Sequence, residues 1–420
     1  MNMLIEFEVG NYLSFKKPVR FSMIAANPIK EFMDENTFEE GRLRLLKSAV
    51  IYGANASGKS NFLFAMRRMR FLVINSLTDL QGIGGVRPFA LDAATENAPS
   101  HFEICFLLNN QRYRYGFEAD SKSITKEWLF SASKQKEDTL FIREGDAIDV
   151  GDDFSEGNNL EEKTRDNALF LSVVAQFNGP IARSIMGWFN SFFIISGFDD
   201  AAFEGVSNQI LLNEVTHPLL VDIIKQADMG IMDLIASEVP TDAKPILSGQ
   251  KDISASKTLR VATVHKKFRD GNEDGIARLD FFVESEGTKK FYRIIGPILA
   301  CLNTNSVICI DELDAKLHHL LTKAVVKLFN STVTNKRNSQ LIFSTHDTNL
   351  LNYGNLRRDQ IWFTEKDQQG ATDLYSLAEV KVRNDEALEK NYIRGKYGAI
   401  PYIGDFESLF KTKASNGSPN

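Results

Sequence analysis

The first third of the chain alternates short apolar runs with polar turns, a pattern that predicts several β-strands and one long helix. Residues 3–9 alternate apolar and polar side chains in their second half, which is typical of a half-buried strand. A second strand is expected near 19–23, and the apolar run at 48–52 predicts a buried strand that ends in a glycine-rich turn. Apolar residues recur at helical spacing over 61–74. Two β-rich runs flank a polar turn within 101–118, which predicts a hairpin.

The middle of the chain differs from the first third, because polar loop patterns separate short helical patterns. Residues 140–165 are acidic and rich in Gly and Asn, which predicts an exposed, mobile loop. Helices are expected at 168–177, 181–193 and 215–235, followed by another loop at 240–257. No sustained heptad pattern occurs, so this region is not expected to form a long coiled-coil arm.

The last part of the chain alternates helix and strand patterns. Helices are expected at 287–302 and 315–330, and apolar strands at 306–310 and 340–344. Strands separated by helices indicate a largely parallel sheet with both faces covered, and therefore an α/β fold. The chain after 410 is polar and is expected to be disordered.

These patterns predict four regions along the sequence. Residues 1–135 are expected to form an N-terminal lobe that carries the glycine-rich turn, and 136–255 a helical and loop insertion. Residues 256–410 are expected to form a C-terminal lobe, and 411–420 a disordered tail.

Composition and charge narrow the class of protein. The chain has 420 residues, 43% of them hydrophobic, a net charge of −6 and a pI near 5.7, so no overall basic field favours nucleic acid. Arg67, Arg68 and Arg70 form a local basic cluster, which could be either an exposed helix face or a phosphate contact. The acidic N-terminus does not resemble a signal peptide, and no apolar stretch is long enough to cross a bilayer. A cytoplasmic protein without a membrane partner is expected.

The glycine-rich turn carries the most specific motif in the sequence. Residues 53–60 read Gly-Ala-Asn-Ala-Ser-Gly-Lys-Ser and match the phosphate-binding loop G-x-x-x-x-G-K-[ST] at every required position. Its backbone N–H groups and the following helix N-terminus are expected to surround the phosphates of ATP, Lys59 to neutralise them, and Ser60 to bind Mg²⁺. The residues predicted to contact the nucleotide here are Gly53, Asn55, Ser57, Gly58, Lys59, Ser60 and Asn61.

Two further strand ends supply candidate catalytic groups. The strand at 307–310 is followed directly by Asp311 and Glu312. Asp311 is predicted to reach the Mg²⁺ shell, and Glu312 to polarise the attacking water as general base. His346 follows the strand at 341–344 and is predicted to sense the γ-phosphate or to hold the water in line.

Taken together, these motifs resemble the ABC-type ATPases, including the SMC and RecF branches. The resemblance implies an ATPase head that consists of a mixed-sheet N-terminal lobe and a RecA-like, mainly parallel lobe. It also implies a signature segment, matched here by Ser285 and Gly287, which touches the nucleotide held by a second head. Asp314 matches the loop that links the heads, and the glutamine-loop residue stays open between Gln81 and Gln111. A homodimer or higher homo-oligomer that sandwiches ATP is therefore expected.

Within that class, the chain is similar over nearly its whole length to small ATPases of bacterial abortive-infection and other anti-phage operons. The resemblance implies an ATPase that senses or gates, with a separate effector such as a nuclease or toxin encoded nearby, and a nucleic acid or phage protein as a possible trigger. The segments that carry it are Asn11–Phe15, Gly53–Asn61, Glu284–Thr288, Asp311–Asp314, Ser344–Asp347 and Asn391–Tyr402. No role follows from the residues for the last of these segments.

Other functions receive less support from the sequence. The chain has no Asp-x-Asp motif, which argues against a topoisomerase-primase type of nuclease, and the acids at 152–161 are interpreted as a solvated charge run. A RecF-like DNA-repair ATPase is the main alternative, although it requires a basic surface. A transporter ATPase is a third hypothesis and would need a membrane partner.

Overall fold

Strand pairing, rather than position along the chain, decides which segments fold together in the computed structural model. The structure describes residues 2–78, 82–132, 136–196, 200–227, 229–240, 257–353, 356–382, 386–401, 404, 406 and 407. The strands are β1 (Asn2–Gly10), β2 (Val19–Ser22), β3 (Thr37–Glu40), β4 (Leu43–Leu46), β5 (Ser48–Gly53), β6 (Ser100–Leu108), β7 (Gln111–Ala119), β8 (Ile124–Ala132), β9 (Asp138–Glu144), β10 (Ala147–Val150), β11 (Phe193–Ile195), β12 (Asp233–Pro240), β13 (Lys257–Arg269), β14 (Asn272–Asp280), β15 (Val307–Ile310), β16 (Gln340–Ser344), β17 (Ile361–Lys366) and β18 (Thr372–Ser376). The helices are α1 (Met33–Asn36), α2 (Lys59–Asn75), α3 (Phe170–Gln176), α4 (Pro180–Asn190), α5 (Glu204–Leu212), α6 (His217–Gln226), α7 (Glu286–Thr304), α8 (His319–Asn330), α9 (Leu350–Tyr353) and α10 (Leu388–Ile393).

One large sheet is antiparallel and is built from the first part of the chain. Its seven strands run in the order β10-β9-β8-β7-β6-β1-β2, and the predicted hairpin forms its β6–β7 pair. Alternate residues of β1, among them Phe7 and Val9, are fully buried beneath the sheet. This alternation is what the sequence pattern at 3–9 predicts.

The second large sheet contains the strands that lead to the predicted site. Its six strands run in the order β11-β15-β16-β5-β17-β18, and all neighbours are parallel except the β17–β18 pair at one edge. Every residue of β5, β15 and β16 is buried. A parallel sheet has to be covered on both faces, which explains why these strands are buried along their whole length and mostly apolar.

Helix α2 fills the space between the two sheets. Its apolar positions pack with Ile51 and Cys309 from one face of the parallel sheet and with Phe7 from the antiparallel sheet. The buried apolar residues of the helix are Phe62, Leu63, Ala65, Met66, Met69, Leu72 and Val73. The opposite face of the parallel sheet packs against α7 and α8 in a second core. The α/β class with two sheet lobes is therefore confirmed.

The segment between the lobes contributes helices and a small sheet beside α7. Helices α5 and α6 pack on α7, and β12, β13 and β14 form a three-stranded antiparallel sheet. Arg293 of α7 pairs with Asp200 at 3.2 Å and with Glu204 at 3.1 Å, so charged contacts as well as apolar ones join α7 to the insertion.

Three predictions about local structure are wrong. Residues 140–150 are not a loop but parts of β9 and β10, because Leu140 and Phe141 are buried in the core while the acids lie at the exposed turn. The helix expected at 215–235 ends at Gln226, and Gly230 at φ 67° precedes β12. Helix α8 begins only at His319, since Glu312 and Lys316 have left-handed backbone angles that a continuous helix cannot contain.

The sheets also show how the predicted regions share structure. β5 belongs to the early part of the chain yet pairs with β16 and β17, so the segments 1–135 and 256–410 contribute to one sheet. The expected boundary at 135 falls between β8 and β9, which are neighbours in the antiparallel sheet. Most of the expected loop at 240–257 and the whole tail at 411–420 lie outside the described residues. No described helix has the length and hydropathy to cross a membrane.

Candidate nucleotide-binding site

The three motifs predicted to form one site converge at one edge of the parallel sheet. β15, β16 and β5 are adjacent and parallel, so the residues that follow them lie side by side. An open cleft of about 490 Å³ occupies this edge. The described residues that line it are Asn55, Ala56, Ser57, Gly58, Lys59, Ser60, Asn61, Glu312, His346 and Lys366.

The phosphate loop has the backbone geometry that its glycines predict. Gly58 has a φ of 118°, and a Cβ placed there would lie 2.5 Å from the Thr372 hydroxyl oxygen. The Lys59 ammonium is buried and donates to the carbonyl oxygens of Gly53 (2.9 Å) and Ala54 (3.1 Å), which holds it across the loop. Burial lowers the pKa of Lys59, while the carboxylates of Asp311 and Glu312 act against this effect.

Distant segments support the loop from below. The Ser57 hydroxyl is hydrogen-bonded to that of Thr364 at 2.6 Å, and the Thr372 hydroxyl donates to the Ser57 carbonyl at 2.8 Å. Asn61 donates to the hydroxyl of Ser14 at 2.8 Å, within the Asn11–Phe15 motif. Ser14, Thr364, Thr372 and the cleft residue Lys366 were missed by sequence reasoning, because no local spacing connects them to the loop.

Asp311, the predicted Mg²⁺ ligand, is buried directly after β15. Its side chain is 1% exposed, and one carboxylate oxygen, Oδ1, accepts a hydrogen bond from the Ser344 hydroxyl. The other oxygen, Oδ2, is buried without a hydrogen-bond partner, which is costly for a charged group in the absence of a ligand. Ser60 lies in the first turn of α2 and lines the cleft, and the neighbouring Lys59 ammonium is close enough to the Asp311 carboxylate to interact with its charge. These two oxygen donors fit Mg²⁺, which typically takes few protein ligands and completes its shell with phosphate and water.

No larger metal centre accompanies this pair. Among the described residues, no group of three or more His, Cys, Asp or Glu side chains is placed to hold a metal ion. The donors present therefore suit a cation that arrives with a phosphorylated ligand rather than one held in an all-protein cage.

Glu312 extends into the cleft from a strained backbone position. Its φ is 48°, in the left-handed region that costs a non-glycine residue roughly 1–3 kcal/mol. Two hydrogen bonds hold it there: its N–H donates to the Ser344 hydroxyl at 2.7 Å, and the Leu313 N–H donates to the Ser344 carbonyl at 3.0 Å. Strain maintained in this way orients a side chain, and here it directs a carboxylate toward the phosphate loop.

His346 also lines the cleft, near the Lys59 ammonium. Burial and the nearby Lys59 ammonium lower its pKa below the usual 6.5, although Asp314 and Glu312 act in the opposite direction. The ring is therefore neutral at physiological pH and can offer one donor and one acceptor. Its backbone N–H lies 3.3 Å from both carboxylate oxygens of Asp314.

The signature residues do not line the cleft of their own chain. Ser285 caps the N-terminus of α7, and its hydroxyl accepts from the Thr288 N–H at 3.1 Å. It is exposed, so α7 presents its N-terminus to solvent. Gly287 approaches the Lys316 carbonyl so closely that a Cβ would lie 2.8 Å from that oxygen.

Two ion pairs also fix the N-terminus of α7. Glu286 pairs with Lys289 at 2.7 Å and with Lys316 at 2.9 Å, and these two ammonium groups lower the pKa of Glu286 to about 2. The signature start is thus attached to the turn that follows Glu312 in the same chain. Asp314 belongs to that turn, and its carboxylate contacts His346 and not the cleft itself.

The glutamine-loop residue is not identified by the structure. Gln81 lies outside the described residues. Gln111 begins β7 at the hairpin turn of the antiparallel sheet, opposite Leu108, and is not among the residues that line the cleft.

Helix α10, which overlaps the start of the motif at 391–402 for which the sequence suggested no role, contacts the segment that follows His346. Glu389 of α10 accepts a hydrogen bond from the Thr348 hydroxyl at 2.9 Å and another from the Asn352 amide. Tyr392 packs on Tyr52 with ring centroids 5.6 Å apart, and the Tyr52 hydroxyl donates to the Asp347 carbonyl at 3.0 Å. Both residues that follow His346 are therefore held from this side.

Comparisons with known proteins identify the family of the chain. The family described as "AAA domain, putative AbiEii toxin, Type IV TA system" matches residues 48–352, which include the phosphate loop, both carboxylates and His346. No curated protein matches the sequence. One similar solved structure is the crystal structure of the SmcHead bound to the C-winged helix domain of ScpA, at 15% identity and a TM-score of 0.40. That alignment covers 89% of this chain and 97% of the other. By the family match, which spans most of its length, the chain belongs to this AAA-domain family.

Proposed function

We propose that the chain hydrolyses ATP and acts as the switch subunit of a bacterial anti-phage module of the abortive-infection type. The observation that carries the ATPase proposal is the buried Oδ2 of Asp311, which has no hydrogen-bond partner and belongs to a carboxylate near the Lys59 ammonium and next to Glu312. A buried carboxylate oxygen without a hydrogen bond is retained where a ligand supplies the missing partner. Membership of an AAA-domain family supports a nucleotide as that ligand.

The phosphate loop and its helix bind the triphosphate. Backbone N–H groups of 54–60 and the N-terminus of α2 stabilise the negative charge, and the Lys59 ammonium exchanges its carbonyl contacts for phosphate oxygens. Ser60 and Asp311 hold Mg²⁺, which neutralises charge on the β- and γ-phosphates when it is bound.

Glu312 and His346 prepare the attacking water. Glu312 is the only carboxylate among the described residues that line the cleft, so it accepts the proton of the water. The neutral imidazole of His346 orients that water or contacts the γ-phosphate. Because the cleft is open to solvent, one head leaves part of the nucleotide uncovered.

A second head is proposed to cover the open side. The exposed Ser285 hydroxyl, the flexible Gly287 and the N-terminus of α7 form an anion-binding surface outside their own cleft. A symmetric dimer would place this surface on the nucleotide of the partner, and Asp314 near the dimer axis. ATP then favours the closed dimer because it is bound by both heads only in that state.

The closed and open states provide the switch. A separate effector, such as a nuclease or toxin encoded nearby, would respond to closure, and a nucleic acid or phage protein would trigger it. The family description, which names an AbiEii toxin of a type IV toxin–antitoxin system, is in keeping with a two-component module of this kind. The proposed location is the cytoplasm.

The test of this proposal replaces the general base without removing the nucleotide site. Glu312→Gln should bind ATP as wild type does, lose hydrolysis by about 100-fold or more, and elute as a stable dimer with ATP. Glu96→Gln is a matched control, since it removes an exposed carboxylate away from the cleft. Hydrolysis by Glu312→Gln at the wild-type rate would show that the assigned base is wrong.

A further inference from the structure

A second cavity runs along the outer face of α2, next to the nucleotide cleft. It has a volume of about 590 Å³. One wall is α2, and the other consists of residues 12–13 and 85–87. The described residues that line it are Tyr12, Leu13, Asn61, Phe64, Arg67, Arg68, Phe71, Gly85 and Arg87, and we call this cavity the arginine groove.

All the charged side chains among the described residues that line the arginine groove are positive. Three arginines line it, and no carboxylate occurs among its described lining residues. Burial raises the pKa of the Tyr12 hydroxyl, whereas Arg68 and Arg87 act to lower it, which places both guanidinium groups near that hydroxyl. A local concentration of positive charge in a protein with a net charge of −6 favours a phosphorylated ligand.

Contacts within the groove fix Arg68 and join the two walls. The Arg68 guanidinium lies against Gly85 so closely that a Cβ at that glycine would overlap it, and it lies 5.3 Å from the centre of the Phe71 ring. The two walls are joined by the Leu13 N–H, which donates to the Arg87 carbonyl at 2.8 Å. Leu13 has a φ of 50°, a strained conformation maintained by this bond.

Two phenylalanine rings line the groove together with the arginines. Phe64 and Phe71 lie on the same face of α2, about 10 Å apart along the helix axis. Phe64 is half-buried and does not belong to either large apolar core, so its ring is available to the groove. Aromatic rings beside guanidinium groups are the combination with which proteins bind the bases and phosphates of nucleotides.

The arginine groove is distinct from the phosphate loop. Arg67 lies about 12 Å along α2 from Lys59, and among the described lining residues only Asn61 borders both cavities. Asn61 donates to Ser14, and Thr372 contacts both Ser14 and Ser57, so a chain of hydrogen bonds joins the groove to the phosphate loop. A ligand in the groove is therefore well placed to affect the ATP site.

We propose that the arginine groove binds a nucleotide unit other than the ATP of the phosphate loop, with its phosphate on Arg67 and Arg87 and its base on Phe64. Such a unit could arrive as part of a single-stranded nucleic acid or as a free nucleotide, because both offer the same phosphate and ring. Either ligand would give the proposed switch an input that is separate from ATP. The binding site itself does not depend on whether the chain hydrolyses ATP.

The experiment measures binding of two probes to the full chain. A fluorescein-labelled oligo(dT) and, separately, a fluorescein-labelled dTMP are titrated between about 50 and 200 mM salt. The variants are Arg67→Ala combined with Arg87→Ala, and Phe64→Ala. Arg183→Ala, which removes an exposed arginine of α4 outside the groove, is the control. The affinity of each variant for ATP is measured in parallel.

The groove variants should weaken probe binding in distinct ways. For oligo(dT), the double arginine variant should lower the slope of log affinity against log salt by about 0.7, since both arginines contact one phosphate and each single-strand phosphate contact contributes about 0.7. Phe64→Ala should weaken binding roughly 5- to 150-fold, the range for loss of one stacked base. Arg183→Ala should change neither, and every variant should bind ATP as wild type does.

The outcomes separate the sources of the ligand. Binding of oligo(dT) that depends on the groove residues identifies a strand, and the same dependence with dTMP alone identifies a free nucleotide. The proposal is overturned if neither probe binds, if the variants bind like wild type, or if they lose ATP affinity in parallel. The last outcome would make the groove part of the ATP site. Failure of the Glu312→Gln test would leave these results unaffected.

Discussion

The contact between helix α10 and the loop that carries His346 leads to a quantitative prediction. Glu389 accepts hydrogen bonds from Thr348 and Asn352, and no other segment contributes a carboxylate to these two side chains among the described contacts. Glu389→Ala removes both bonds and leaves the phosphate loop untouched. The loop that carries His346 then loses its side-chain bonds to α10, while the His346 N–H contact with Asp314 and the Tyr52 bond to the Asp347 carbonyl remain.

The size of the effect follows from the kind of bond. A hydrogen bond to a charged group contributes about 1.5–3 kcal/mol when it is buried. These two are partly exposed to solvent, so a combined contribution of about 1–2 kcal/mol is more realistic. An energy of that size changes the balance between ordered and displaced loop by a factor of about 5–30. We therefore expect kcat to fall by up to that factor, with the KM for ATP within about twofold of wild type.

The assay is steady-state ATP hydrolysis, with thermal unfolding measured alongside. Glu389→Gln keeps an acceptor for Thr348 and should restore most of the activity, whereas Lys390→Ala changes the adjacent exposed side chain and serves as the control. A merely structural role would lower Tm without separating kcat from KM. Wild-type kcat in Glu389→Ala, or a raised KM with unchanged kcat, would refute the reasoning.

Three further predictions concern the site itself. Because the pKa of His346 is lowered, the ring stays neutral above pH 6.5, so hydrolysis should decline only below that pH, and His346→Gln should abolish the acid limb of the profile; a midpoint above 6.5 would contradict this. Asp311→Asn should require far more Mg²⁺ for activity than wild type, since a neutral amide is a weaker Mg²⁺ ligand than a carboxylate; a Mg²⁺ dependence of hydrolysis that matches wild type would count against the assignment. Gly58→Ala should fold but fail to bind ATP, because its φ of 118° and the Thr372 side chain exclude a Cβ, and equilibrium binding that matches wild type would disprove this.

The parts of the site that could be predicted are those written in short stretches of sequence. The phosphate loop follows from fixed spacing within 53–60, and Asp311 follows directly from the buried strand before it. Parallel pairing of β5, β15 and β16 then brings their ends together, as expected for such a sheet. Local pattern and the geometry of parallel sheets were sufficient for these residues.

The supporting contacts could not be predicted, because they join residues far apart in the sequence. Thr372 contacts Ser57 across 315 positions, and Glu389 contacts Thr348 across 41. No periodicity marks either pair. The arginine groove was only partly visible, since the sequence shows the basic cluster but not that Arg87 and Tyr12 face it. Arg70 of the same cluster instead donates to the Phe189 carbonyl at 2.9 Å.

The segment at 140–150 shows a different limit of sequence reasoning. Its acidic and glycine-rich composition suggested a loop, yet Leu140 and Phe141 anchor it as β9 in the antiparallel sheet. An edge hairpin exposes most of its residues, so few apolar positions remain to mark it as a strand. The composition correctly indicated that many of its side chains face solvent, but it did not indicate that β9 and β10 pair in the sheet.

The central claim is that one ATP is contacted by two heads, and mixing two inactive variants tests it most directly. Lys59→Ala removes the phosphate-loop ammonium, and Ser285→Arg blocks the surface presented to the partner, so each protein alone should be inactive. In an equal mixture, half of the dimers combine one of each and contain one intact composite site, which predicts recovery of about one quarter of wild-type activity. A mixture that stays as inactive as its components, or a Ser285→Arg protein that is fully active alone, would contradict a shared site.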